Sequence, residues 1–334
     1  MTERYRLDWK GALDMMFAAA RSPDLLCSHA QANKRMEGPA FPTCPSAANT
    51  LLQLGSPALI LWQAGGNFGD LWTFVQYYRV QMIRDFEKLI ATEKRFRNFD
   101  LTIVQLPQSV FYTNKKAMHK EAKLLRSLKH VKFVLTTRAA ASYRIATEQM
   151  RLEHVLAVPD IACAAGPFLS VHSPTVDIVL MPRSDREAKL TPEMAAKVLK
   201  QATEAHGLTF KVNAYASDSR AAVNKPQPLY SSMAAIRAQS GIDLISQGQV
   251  VITNLMHTSV MSMLSGKPVF FWDGGVQVGY NKVGGMYGMM KSASNCSDDD
   301  LGAHYFASHN ETDDLVRATE AAVAYLLKLP CSDK

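Results

Sequence analysis

Val250-Val251-Ile252-Thr253-Asn254-Leu255-Met256-His257-Thr258-Ser259 begins as an unbroken apolar, β-branched run, turns polar, and leads into a helix-like stretch over residues 257–265. An apolar run of this length without alternation fits a strand buried on both faces, and therefore a parallel sheet with helices between its strands. The same unit recurs on either side. Downstream lies the strand-like run 268–272. Upstream come Val176–Met181, a helix over 191–206, a run at 209–214 and a helix near 231–247. The helix at 191 opens Thr191-Pro192-Glu193, a threonine cap followed by proline at the first helical position. A last helix spans 311–327.

The first half repeats the alternation. Strand-like runs at 58–63, 101–106, 132–136 and 154–158 are separated by helix-like stretches at 71–92, 115–128 and 139–149. Pro, Gly and Ser between Pro159 and Pro174 mark a junction. The pattern predicts an α/β protein of two Rossmann-like domains with parallel sheets, each sheet covered on both faces, the domains facing each other across a cleft. The expected bounds are an irregular lead-in over 1–50, an N-terminal domain over 51–165 and a C-terminal domain over 166–334. The lead-in holds one helix-like stretch, 9–21, and a loop with Pro39, Pro42 and Pro45.

A chain of 334 residues with 47% hydrophobic and 20% charged side chains is globular and long enough for two domains. Its net charge of +7 invites a nucleic-acid reading, but Lys and Arg are scattered and form no basic stripe with aromatics. An anionic small substrate suits the excess equally well. Five cysteines without a CxxC pair argue against a structural zinc site and a disulfide framework. Two sequons, at Asn295 and Asn310, pull weakly towards a lumen, whereas no basic-then-apolar leader is visible. The expectation is a cytoplasmic protein, with membrane association left open, or a Golgi-lumenal one if eukaryotic and trimmed at its N-terminus. The longest charge-free interval, 244–266, is interrupted by Gln247, Gln249, Asn254 and His257 and is not a membrane span.

Three segments can carry chemistry. Gly65-Gly66-Asn67-Phe68-Gly69-Asp70 lies between a predicted strand and a predicted helix. It reads either as a tight turn capped by Asp70 or as a place where backbone approaches a ligand and Asp70 orients a sugar hydroxyl. His257 stands at the C-terminal end of a strand, where open α/β sheets hold ligands, and its ordinary pKa suits proton transfer; a structural histidine is the plainer reading. Arg138 and Arg183 follow strand ends and Lys282 sits in Tyr280-Asn281-Lys282, so these three either converge on a phosphate or carboxylate or are solvated cations. The run Ser297-Asp298-Asp299-Asp300 suits a metal or a capping loop. GxSxG, HExxH, kinase and EF-hand signatures are missing, which removes those classes.

Taken in order, these segments resemble the polysaccharide pyruvyl transferase family. The resemblance rests on Gly65-Gly66-Asn67-Phe68-Gly69-Asp70, on Gln105-Leu106-Pro107-Gln108-Ser109, on Arg138 with Ser142, and on Pro159-Asp160. Its strongest part is Thr253-Asn254-Leu255-Met256-His257 followed by Gly266-Lys267-Pro268-Val269. It covers roughly residues 58–282. One position departs: Leu255 stands where the family pattern has Arg before Leu-His.

The resemblance implies transfer of a pyruvyl group from phosphoenolpyruvate to sugar hydroxyls as a cyclic ketal, in a fold like the glycosyltransferase-B group. No cofactor and no metal is expected; phosphoenolpyruvate is the donor substrate, and a glycan or lipid-linked sugar the acceptor. It casts His257 as the acid/base with Asp70 beside the acceptor, Arg138, Arg183 and Lys282 as anion holders, and Gly66 and Asn67 as substrate contacts. Arg183 and Lys282 are the candidate substitutes for the arginine missing at Leu255. Alternatives are a nucleotide-sugar glycosyltransferase of the same architecture and a non-catalytic glycan-binding relative.

Overall fold

The structure is a computed structural model that describes residues 47–165, 173–183, 190–213, 230–273, 282–294, 297–298, 302–307 and 310–328. The chain divides into two compact units between Ile161 and Ala162. The helix expected at 9–21 lies outside the described residues, as do Cys27, Cys44, Cys296 and Cys331. Cys163 is half-buried and reduced.

In the first unit the elements are α1 (Ala47–Leu54), β1 (Ala58–Trp62), β2 (Gly65–Gly69), α2 (Thr73–Thr92), β3 (Leu101–Phe111), α3 (Lys115–Arg126), β4 (Val131–Thr137), α4 (Ala140–Arg144, continued by a π turn, Ile145–Gln149) and β5 (Val155–Ala157). The strands are parallel in the order β1-β3-β4-β5, and β2 pairs with the far half of β3. The glycine stretch expected as a turn is thus a strand. It continues the line of β1 along the same edge of β3 after a short break.

Pro107 sets that break. It has no N–H to give the ladder, and the register of β3 shifts between Gln105 and Gln108 on one side and between Gly65 and Phe68 on the other. The Gln105 and Gln108 side-chain amides both donate to the Gln63 carbonyl, at 2.6 and 2.5 Å, satisfying the acceptor left at the gap. Gly69 closes β2 at φ +134°, and a Cβ there would fall 1.6 Å from the Phe111 carbonyl oxygen, so no other residue fits.

Each new strand of this sheet is added on the same side of the last. Right-handed crossovers wound in one direction put all their helices on one face. The core obeys this: Leu51, Ile83, Phe86, Ile90, Met118, Leu125 and Met150 pack on Ile60, Ile103, Phe133 and Leu135. On the opposite face Leu59 is 40% and Leu156 49% exposed. The described helices of this unit all pack on the first face; the expectation that both faces are covered turns in part on residues 1–46, which lie outside the described residues.

In the second unit the elements are β6 (Val176–Met181), α5 (Pro192–Glu204), β7 (Phe210–Val212), α6 (Tyr230–Ser246), β8 (Gly248–Thr253), α7 (Met256–Leu264), β9 (Val269–Trp272), α8 (Lys282–Ser294), β10 (Ala303–Phe306) and α9 (Glu311–Lys328). All strands are parallel, in the order β10-β9-β8-β6-β7. After β7 the chain returns past β6 to start β8 on its other side, so the winding reverses and helices fall on both faces.

Alternate residues of each strand feed separate cores. Ile178, Leu180, Val250, Ile252, Phe270 and Trp272 meet α5 and α9. Val179, Val251, Val269 and Phe271 meet α6, α7 and α8. Val250, Val251 and Ile252 have no exposed surface, and burying each such side chain contributes about 1.5–3 kcal/mol before entropy is counted. The Thr191 hydroxyl accepts the Met194 N–H at 3.2 Å and Pro192 opens α5, as its sequence predicted. Helix α8 and strand β10 had no sequence signal. Helix α8 carries Gly284, where a Cβ would stand 2.3 Å from the Tyr305 ring, so the glycine that weakens the helix locally lets it approach β10.

Candidate donor site at the sheet reversal

Where the winding of an open α/β sheet reverses, the loops leaving two neighbouring strands turn to opposite faces and leave a crevice at the strands' C-terminal ends. Here that point lies between β6 and β8. Pro182 and Arg183 leave β6, while Asn254 and Leu255 leave β8 and run into α7, whose second residue is His257. Two residues proposed from sequence, Arg183 and His257, therefore lie just beyond the C-terminal ends of these two neighbouring strands. Lys282, the third, opens α8 beyond the end of β9, the strand next to β8.

The strand ends are pinned by polar side chains. The Thr253 hydroxyl donates to the Met181 carbonyl at 2.7 Å and accepts the Leu255 N–H at 3.0 Å. Buried Asn254 accepts the Arg183 N–H on Oδ1 at 2.7 Å and donates from Nδ2 to Glu311 Oε1 at 2.9 Å. The Trp272 indole N–H reaches the same Glu311 oxygen at 3.3 Å. Asn254 and Glu311 were not assigned roles from sequence. The signal for Asn254 was its place between a buried strand and a helix start; for Glu311, nothing but its place at the start of the last helix.

Helix α7 begins without a side-chain cap: Leu255 is its N-cap, in extended conformation, and His257 is exposed in its first turn. An uncapped helix start presents N–H groups and the positive end of the helix dipole. The start of α8 is closed. Asp273 accepts the Val283 and Gly284 N–H groups at 2.7 and 2.9 Å and the Tyr305 hydroxyl at 2.5 Å. Burial, and then the Asp273 carboxylate, push the Tyr305 hydroxyl far above the ordinary tyrosine range, so it stays a proton donor to Asp273.

The first unit treats its candidates differently. Asp70 was expected to cap the helix after it or to meet a sugar. Its carboxylate instead accepts the Thr113 N–H at 2.7 Å, the Thr113 hydroxyl at 3.0 Å and the Asn114 N–H at 2.7 Å, while α2 starts without a side-chain cap. Asn114 in turn caps α3 through the Lys116 and Ala117 N–H groups. Gly66 and Asn67 lie in β2, and the Asn67 side chain is outside the described residues.

Arg138 follows β4 as expected but is 1% exposed. Its Nε donates to Ser109 Oγ at 2.9 Å and its Nη1 is paired with Asp160 Oδ2. The Gln-Ser, Arg and Pro-Asp segments of the resemblance thus meet in one buried cluster at the ends of β3, β4 and β5, with Ser142 Oγ accepting the Val110 N–H at 2.9 Å. In this structure Arg138 is an internal ion pair, not a surface cation.

Of the acidic run, Asp298 accepts from Lys291 Nζ at 2.6 Å and from the Tyr287 hydroxyl at 2.5 Å, while Asp299 and Asp300 are outside the described residues. Among the described residues no group of three His, Cys, Asp or Glu side chains is placed to hold a metal, and no helix is long and apolar enough to cross a membrane.

The strand ends at the reversal of the second sheet are the place where open α/β folds hold ligands, and the fold alone does not say which. A family model for polysaccharide pyruvyl transferase matches residues 30–272, and the chain belongs to that family of transferases. It is 26% identical over 213 residues to Pyruvyl transferase 1 of Schizosaccharomyces pombe, covering 63% of this chain and 49% of that protein. It is 27% identical over 221 residues to EpsO of Bacillus subtilis, which carries a provisional pyruvyl transferase name, covering 62% of each. The matches therefore span about half to three fifths of these relatives' own lengths. A functionally uncharacterized Klebsiella pneumoniae protein superposes with a TM-score of 0.49 at 12% identity, covering 90% of this chain and 100% of that one.

Proposed function

We propose that this chain transfers the pyruvyl group of phosphoenolpyruvate to two hydroxyls of a sugar, forming a cyclic ketal and releasing inorganic phosphate. The family membership supports pyruvyl transfer to a polysaccharide. What supports the donor reading is the strand order of the second unit: Arg183 and His257 follow the ends of the two strands at its reversal, α7 starts there without a side-chain cap, and Lys282 opens the next helix. Phosphoenolpyruvate carries a phosphate and a carboxylate, and an arginine fork, an ammonium and a helix N-terminus are the groups that hold such anions.

The chemistry requires a proton on the methylene carbon of the enol, which becomes the methyl group, and attack on the adjacent carbon by one sugar hydroxyl. Loss of phosphate breaks the carbon–oxygen bond, the second hydroxyl closes the ketal, and the two hydroxyl protons balance the new methyl hydrogen and the leaving phosphate. His257 is the proposed proton carrier, exposed and beside the anion-binding helix end. Arg183 and Lys282 stabilise charge on the leaving phosphate. The acceptor is proposed to be a glycan or lipid-linked sugar met in the cytoplasm.

The test is donor binding, which needs no knowledge of the acceptor. Phosphoenolpyruvate at about a hundred times its dissociation constant is expected to stabilise the fold by about 2.7 kcal/mol, seen as a rise in Tm, with inorganic phosphate and a nucleotide sugar as controls. A rise with the nucleotide sugar alone would refute the donor assignment. His257→Ala is expected to retain the donor shift and lose turnover.

A further inference from the structure

The last ladder pair between β6 and β8 is Met181 with Thr253, and beyond it the two loops diverge. Divergence at the reversal removes the next backbone acceptor for the Arg183 N–H. The Asn254 side chain takes that place at 2.7 Å and, through its other end, reaches Glu311 at 2.9 Å in the first turn of α9. A single planar amide thus fixes the β6 loop against a helix on one face of the sheet, and at 2% exposure it does so without water to share the load.

The orientation of this amide is not arbitrary. A backbone N–H only donates, so Oδ1 must face Arg183, which turns the donating Nδ2 to Glu311. Serine could not span both partners, and an ionised aspartate would accept from Arg183 but set a second carboxylate against Glu311.

We propose that Asn254 is a positioning residue of the donor site: its side-chain amide fixes the backbone from which Arg183 reaches the crevice, and Glu311 holds that amide in register. The proposal rests on the reading of Arg183 as a donor ligand. Asn254 itself does not touch the donor in this scheme. Because the role depends on one end donating and the other accepting, it is separable from mere packing by exchanging donor and acceptor between the two partners.

The experiment measures the dissociation constant of phosphoenolpyruvate across pH 5.5–8, together with amide exchange at Arg183, in full-length variants whose melting is followed in parallel. Asn254→Ala is expected to weaken donor binding about tenfold or more and to speed exchange of the Arg183 amide. Asn254→Asp, nearly the same shape, is expected to be as weak at neutral pH and to recover as pH falls, because the two facing carboxylates then share a proton and one of them donates again. The double variant Asn254→Asp, Glu311→Gln is expected to recover binding at neutral pH in part: the glutamine amide donates to the aspartate, but the same NH2 group then faces the Trp272 indole N–H, which loses its acceptor. Wild-type affinity in Asn254→Ala, or failure of the double variant to recover while it melts like the wild type, would overturn the proposal. A wild-type protein that ignores phosphoenolpyruvate would instead sink the functional reading; the Arg183 amide exchange would still report whether Asn254 holds that loop.

Discussion

The two sheets of this chain are built from the same strand–helix unit but wound differently, and the winding decides which strand ends a ligand can use. The first sheet runs β1, β3, β4, β5 in one direction, and its polar strand-end groups are turned on one another: Arg138 with Asp160 and Ser109, Gln63 with Gln105 and Gln108, Asp70 with the Thr113–Asn114 backbone. The second sheet reverses at β6, and there the loops part, a helix starts without a side-chain cap, and Arg183 and His257 stand on either side. Arginines at similar positions therefore differ: Arg138 is buried against Asp160, while Arg183 is half-buried at the reversal where the donor is proposed to bind.

The largest expected effect breaks the comparison on the side of the first sheet. Arg138→Ala leaves Asp160 charged and buried without its partner, and is expected to cost about 3–5 kcal/mol of stability in denaturant unfolding. A loss of donor binding at unchanged stability would instead make Arg138 an anion holder like Arg183. Gly69→Ala comes next. It forces a side chain into the Phe111 carbonyl at a backbone angle reserved for glycine, and about 3 kcal/mol or more is expected, read from the same unfolding curves.

On the second sheet, Arg183→Ala is expected to weaken phosphoenolpyruvate binding at least about tenfold while moving stability by less than about 1 kcal/mol. A large stability loss would make the two arginines alike and erase the contrast. The smallest effect concerns the face that holds α8. Hydrogen bonds from Lys291 and then Tyr287 keep the Asp298 carboxyl below its ordinary value, so its contribution is present above the unfolded-state pKa and is lost as pH falls through the folded one. Asp298→Asn is expected to lower Tm slightly at neutral pH and to match the wild type in strong acid, which a pH series of melting curves checks.

Much of the fold was legible because buried parallel strands are written as continuous apolar runs: Val176–Met181 is bounded the same in sequence and structure, and β8 and β9 differ only at their starts. The winding was not legible. Nothing in the composition of the runs states which neighbour each strand takes, and only that order distinguishes a sheet with one helical face from one with two. The stretch 65–69 read as a turn because glycines show no alternation, yet Pro107 in the partner strand leaves a ladder gap that β2 resumes beyond. Helix α8 was hidden by Gly284, whose use is tertiary, against Tyr305.

At the proposed site, the strand-end rule singled out Arg183 and His257 together with Arg138, because the rule locates residues without knowing which cation has a carboxylate waiting on the next strand's end. Asp160 was visible as half of a Pro-Asp pair but not as that partner. Asn254 was missed for the converse reason: its role depends on Glu311, far along the chain and brought near by α9.

The most direct measurement is amide exchange of the whole chain with and without phosphoenolpyruvate, resolved by peptide. The expected result is donor-dependent protection confined to peptides that contain Arg183, residues 253–258 and Lys282, with the first sheet's strand ends at 63–70 and 138–142 unchanged. Protection at the first sheet's strand ends, with the 253–258 segment unaffected, would contradict the claim that the reversal of the second sheet is the donor site.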